Sequence, residues 1–148
     1  MADTADTTSG TISIAAPVAV IQGILFDIAQ YPSWSTAIKS VEVLTKDDQG
    51  RVASAKLVVD AGMMKDRVTL DYDWSAAPSR LEFSLADADL LTAMDGTYVI
   101  TAEDEGSTRV RYELTVSLSM PIPAMMRHKA EQMTIDQALN QLKTHAEK

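Results

Sequence analysis

The chain has 148 residues, with 21 acidic against 13 basic side chains for a formal net charge of -8, eight methionines and no cysteine. That length makes one ordinary domain able to bury a sizeable core, and the missing cysteines exclude disulfides, thiol catalysis and Cys-ligated metal. The acidic balance disfavours nucleic acid and anionic membrane surfaces as partners.

No apolar run reaches the eighteen or so residues of a membrane span, so no integral membrane contact is expected. The first residues lack the basic and apolar regions of a signal peptide, and a cysteine-free chain suits a reducing compartment, so the expected localisation is cytoplasmic. Residues 1–9 are small, polar and acidic without a period, and are expected to form a disordered tail ahead of a single domain over residues 10–148. Gly10 to Ala15 alternates as a short first strand, with Ile12 and Ile14 on one face. Pro17 then opens a helix in which Val18, Ile21, Leu25 and Ile28 follow helical spacing. It must end near Gln30, because the residue before Pro32 is pushed out of the helical region. Tyr31-Pro32-Ser33-Trp34 begins a turn or a second short helix.

From Ile38 the period changes to two and stays there for about eighty residues, which is a sheet. A strand through Val41 and Val43 ends at Lys46-Asp47-Asp48-Gln49-Gly50, where the glycine suits a positive φ. The next, from Arg51 to Asp60, puts Ala53, Ala55, Leu57 and Val59 on one face. After a turn at Gly62, Val68, Leu70, Tyr72 and Trp74 alternate with Arg67, Thr69, Asp71 and Asp73. Ala76 to Ser79 turns the chain into Leu81, Phe83 and Leu85, and a fifth strand carries Met94, Gly96, Tyr98 and Ile100. Asp95-Gly96 marks a bulge or a close backbone approach there, with Asp95 outward. The last strand sets Val110, Tyr112, Leu114, Val116, Leu118 and Met120 against a polar face.

Pro121 and Pro123 open a final helix of about 24 residues at about 1.5 Å rise, long enough to cross a small domain. Its apolar and small residues recur every fourth position, from Ile122 through Met126, Ala130, Thr134, Ala138, Leu142 and Ala146, with Ile135 and Leu139 alongside. Such a stripe creeps around the helix and suits a curved partner surface. The fold class expected is therefore α+β: a strongly curved antiparallel sheet wrapped around the long C-terminal helix, with two short helices after the first strand.

This order resembles the helix-grip fold of the START-like (SRPBCC) superfamily. The Asp27-Ile28-Ala29-Gln30-Tyr31-Pro32-Ser33-Trp34 run is similar to the Asp-x-x-x-Tyr-Pro-x-Trp signature of its bacterial polyketide cyclase/dehydrase branch, and Glu105 to Val110 and the Pro-Ile-Pro opening of the last helix fall where that branch has them. The likeness spans about Thr11 to Glu147. It implies a cavity between sheet and helix that holds a lipid-like or polyketide-like molecule, in a family of which only some members are enzymes. The loop Lys46 to Gly50 lacks the Gly-rich sequence of the plant allergen branch.

Acid-base catalysis needs a titratable group inside the cavity. Of the two histidines, His128 lies across the helix from Met126 and Ala130 and is expected to face solvent, and His145 sits at the frayed end. No catalytic triad, metal-ligand cluster or phosphate loop is present in the sequence, so no catalytic residue, metal or cofactor is assigned. The ligand-binding residues expected are Leu57, Val59, Leu70, Tyr72, Phe83, Met94, Tyr98 and Tyr112 on the sheet and Met64 beside the turn at Gly62. Met126 and Ala130 of the last helix and Trp34 of the helix junction complete the set. The tyrosine hydroxyls either orient a ligand oxygen or reach the sheet rim, and Trp34 either walls a pocket mouth or plugs the core. Trp74 is expected in the core, and Met63 and Met64 form a lip over an entrance or fold inward. Three functions follow in order: binding of a small hydrophobic ligand, a cyclase or dehydratase using cavity tyrosines, and a protein-interaction module with a filled interior.

Overall fold

The computed structural model describes residues 7–60, 65–118 and 122–148. Strand β1 (Thr8–Ile14) leads into helix α1 (Val18–Phe26) and a 3-10 helix (Ile28–Ser33). Six strands follow: β2 (Ile38–Lys46), β3 (Val52–Asp60), β4 (Lys65–Asp73), β5 (Arg80–Ala88), β6 (Leu91–Asp104) and β7 (Ser107–Leu118). Helix α2 (Ala124–Ala146) closes the chain. The strands form one antiparallel sheet in the order β1-β7-β6-β5-β4-β3-β2, a meander whose last strand takes β1 onto its free edge. This is the α+β helix-grip architecture, in which the curved sheet holds α2.

The alternation of each strand sorts its faces as expected. Val68 and Leu70, Leu81 and Phe83, and Val110 through Val116 at every second position are buried, while Arg67, Arg109 and Arg111 are exposed. Pro17 and Pro123 stand as N-cap residues, and each offers its carbonyl to two amides of the first turn. Gly50 has φ +81 in the β2–β3 turn, where Asp47 accepts the amides of Gln49 and Arg51. Trp74 is a core residue, 7% exposed, with its indole N–H given to the Val52 carbonyl at 2.7 Å and its ring edge-on to Phe26.

Two boundaries differ from the sequence reading. β1 begins at Thr8, so Thr8 and Ser9 pair with Leu114 and Glu113 instead of belonging to the tail. α1 stops at Phe26, short of Gln30, because the chain tightens into the 3-10 helix. The Tyr31 hydroxyl donates to the Leu25 carbonyl at 2.6 Å, satisfying one of the acceptors that a helix end leaves open. Met63, Met64 and Met120 lie outside the described residues.

β5 and β6 are paired only from Arg80 to Phe83 against Val99 to Gly96. Beyond that point β5 continues along β4 and β6 along β7, and the two diverge toward their connecting turn. The close approach foreseen at Gly96 is real and is no bulge: a Cβ there would sit 2.1 Å from the Phe83 ring. Asp95 points outward, as expected. The far end of the turn is tied to β4 by Asp66, a buried carboxylate that accepts the amides of Asp89, Leu90 and Leu91.

Candidate functional site

Below the middle of α2 the sheet stands away from the helix and leaves a cavity. β3 contributes Leu57 and Val59, β4 Leu70 and Tyr72, β5 Phe83, β6 Met94 and Tyr98, and β7 Tyr112, all inward by the period of two. Thr134 and Ala138 of α2 form the roof, and Tyr31, Trp34, Ser35, Ala37 and Ile38 close the side. The side wall is built by the turn after the 3-10 helix, where the Tyr31 carbonyl accepts the amides of Trp34 and Ser35. Thr36 then fastens the segment to α2: its amide donates to Gln141, and its hydroxyl accepts from Gln137 and Gln141 at 2.9 and 2.7 Å.

The space open to a water-sized sphere is about 50 Å³. One water needs roughly 10–15 Å³, and an engineered cavity that takes up benzene measures about 150 Å³. As it stands, therefore, the cavity has room for a few waters, and a larger guest requires the walls to part.

The lining is aromatic and uncharged. Tyr98 and Tyr112 stack with centroids 4.2 Å apart and 15° between planes, Phe83 leans on Tyr112 and Tyr72, and Tyr31 meets Trp34 edge-on at 5.2 Å. Burial pushes the hydroxyls of Tyr31, Tyr72, Tyr98 and Tyr112 above the ordinary phenol value, and mutual repulsion between the phenolates adds to this for Tyr31, Tyr72 and Tyr98. A hydrogen bond from the Tyr98 hydroxyl partly offsets the rise at Tyr112. The Trp34 ring is 8% exposed, and its indole N–H is buried with no partner among the described residues. Among the described residues no Lys, Arg, His, Asp or Glu lines the space. Such a site donates hydrogen bonds and surrounds an apolar body, but it holds no group that gains or loses a proton near neutral pH.

The strongest buried charge lies elsewhere. Glu131 of α2 is 0% exposed, accepts from Thr8 at 2.5 Å and from the Val116 amide at 2.7 Å, and lies 3.5 Å from Arg127. His128, expected to face solvent, is half-buried in this cluster, with Nδ1 2.8 Å from the Thr8 hydroxyl and 3.2 Å from Glu131. On the outer face, Asp71, Asp73, Glu82 and Asp95 border a groove of about 230 Å³ beside the β5–β6 divergence. Among the described residues no group of three or more His, Asp or Glu is placed to hold a metal. None of their helices is long and apolar enough to cross a membrane.

The family model described as polyketide cyclase / dehydrase and lipid transport matches residues 6–147. The chain belongs to this family. No curated protein matches it. A START superfamily protein from Mycobacterium smegmatis superposes on this member of the polyketide cyclase/dehydrase family with a TM-score of 0.90 at 23% identity, covering 95% of this chain and 97% of that one. The Zhui aromatase/cyclase from Streptomyces gives 0.77 at 16% identity over 95% and 93%. A protein from Thermus thermophilus gives 0.77 at 22% identity over 95% and 96%. At these identities the likeness is one of fold.

Within this polyketide cyclase/dehydrase fold, nine of the twelve residues expected to bind ligand line the cavity: Trp34, Leu57, Val59, Leu70, Tyr72, Phe83, Met94, Tyr98 and Tyr112. Met64 lies outside the described residues. Met126 is corrected: it is 52% exposed and away from the space, as is the half-buried Ala130. Their place is taken by Thr134 and Ala138, two and three turns further along the same stripe. Tyr31, Ser35, Ala37 and Ile38 were missed, although Tyr31 belongs to the signature run that ends at Trp34. Trp34 is among the residues that line the cavity, and its ring is buried.

Proposed function

We propose that the protein binds a small, largely apolar molecule between the curved sheet and α2, in a widened form of the cavity, and that it does so in the cytoplasm. The observation that carries this reading is the lining: an enclosed aromatic and aliphatic wall with polar groups that are all neutral. A cyclase or dehydratase would want a carboxylate, His or Arg in the space, and phenols held above their ordinary pKa are poor proton donors at neutral pH. The small volume favours a second reading, a protein-interaction module whose interior is simply filled.

Native mass spectrometry of protein purified without detergent separates the two. Binding predicts a small-molecule adduct that is lost on denaturation, and a melting temperature that rises when the extracted compound is returned. At one hundred times its Kd a ligand adds about 2.7 kcal/mol of stability. A clean mass, with no shift after incubation with fatty acids, quinones or aromatic polyketides, would move the assignment to the interaction module.

A further inference from the structure

Residues 34–38 close one side of the cavity, and they are fastened differently from the rest of its wall, most of which stands on paired strands or on α2. Ser35 and Ala37 are buried, and Thr36 between them is exposed. At one end the Tyr31 carbonyl holds the amides of Trp34 and Ser35, and at the other the Ala37 carbonyl accepts the Asp60 amide of β3 at 2.7 Å. Just beyond, between Ile38 and Ser40, the register of β2 on β3 shifts. Across the gap the run reaches α2 through Thr36, whose amide is taken by Gln141 and whose hydroxyl accepts from Gln137 and Gln141. All three bonds lie at the surface, where water competes for every partner and the net worth of each is small. A wall anchored at its ends and held in the middle by exposed hydrogen bonds has the makings of a latched door.

Two independent observations bear on whether it opens. The space of about 50 Å³ admits a few waters, so a guest enters only when a wall moves. The second concerns the two tryptophans, whose rings are both buried. The Trp74 N–H is given to the Val52 carbonyl, while that of Trp34, at the start of the run, has no partner among the described residues. A buried donor without an acceptor carries a penalty that contact with water removes. Opening relieves that penalty, and the Thr36 latch opposes it.

We propose that residues 34–38 are the entrance to the cavity: Thr36 leaves Gln137 and Gln141, the run swings away from α2, and guests pass between it and the helix. This rests on the binding reading above and adds to it the path by which a guest arrives and the residues that govern its rate. Neither glutamine lines the cavity, so the latch sets rates of entry and exit and leaves affinity alone.

The test has two arms on the full chain, and the first needs no guest. Deuterium exchange of the two indole N–H groups is followed by proton-nitrogen NMR in the wild type, Gln141→Ala and Thr36→Val. Trp34 should exchange faster than Trp74 in the wild type, and each substitution should speed Trp34 about tenfold, the worth of the bonds removed, with Trp74 unmoved. The second arm follows uptake and release of the neutral fluorescent probe N-phenyl-1-naphthylamine by stopped flow. Both rates should rise about tenfold in the variants, with Kd held within about twofold. Trp34 exchange that matches Trp74, or that neither substitution changes, overturns the door. Faster Trp34 exchange with unchanged uptake rates overturns its use as the entrance and leaves the cavity as a binding site. No uptake by the wild type or either variant overturns the binding reading and the entrance with it, a result distinct from any in the first arm. The substitutions lie on different elements, so if one fails to fold the other decides.

Discussion

Gly96 and Phe83 face each other across β5 and β6, and the ring occupies the volume a β-carbon would need, 2.1 Å from where it would stand. Gly96→Ala should therefore cost about 1–3 kcal/mol in urea unfolding, the range for overpacking a filled site. The same change made in a Phe83→Ala background should cost much less, a coupling that only direct contact produces. The tyrosines make a second prediction at this scale. All four phenols ionise later in the folded state than the ordinary value of about 10. Above that pH the unfolded chain loses protons that the folded chain keeps, so stability is full below pH 10 and falls as pH rises past it. Each phenol adds a slope of up to about 1.4 kcal/mol per pH unit. Ultraviolet titration should show phenolate appearing together with unfolding and not before it. Tyr98→Phe should flatten the decline in melting temperature.

At the scale of elements, α2 shows how one residue hides a pattern. Its buried positions are Glu131, Ile135, Leu139 and Leu142; apolar spacing gives Leu142 in the stripe that runs from Met126 through Ala138, and Ile135 and Leu139 beside it, so Glu131 alone is new. A glutamate counts as polar in any periodicity, so apolar spacing carries Ile135, Leu139 and Leu142 but gives no sign that Glu131 joins them. Without Glu131 the spacing leads from Met126 and turns His128 outward, whereas the structure exposes Met126 and draws His128 into the Glu131 cluster; the inward faces of β3 to β7 were legible from their period of two. Glu131 joins three elements at once, through Thr8 of β1, the Val116 amide of β7 and Arg127 of its own helix. Glu131→Ala should destabilise by about 3 kcal/mol, since it leaves partners buried without their acceptor. Thr8→Val, which removes a single donor, should cost about 1 kcal/mol by the same urea measurement. Neither change should alter binding of a neutral aromatic probe, because neither residue lines the cavity.

For the whole molecule, alternation told which side chains face inward but carried no measure of how far the sheet stands from the helix. The volume was accordingly beyond the sequence, as were Ala37 and Ile38, which come to the cavity through the turn after the 3-10 helix and not through any period. The seam between β5 and β6 was equally hidden, because both strands alternate normally through the stretch where they part. The two strands share four paired positions in all, against twelve between β6 and β7. Hydrogen exchange should show amides on the β5 side of β6 opening faster than those turned toward β7, and the difference should shrink when a guest is bound. A sheet laddered without interruption has a fixed girth and accepts a larger content only by bending its strands. Here Met94 and Phe83 sit beside the divergence and also line the cavity. The interior thus borders what would serve as an expansion joint, and widening the grip there should unzip only a short seam and leave the rest of the sheet whole.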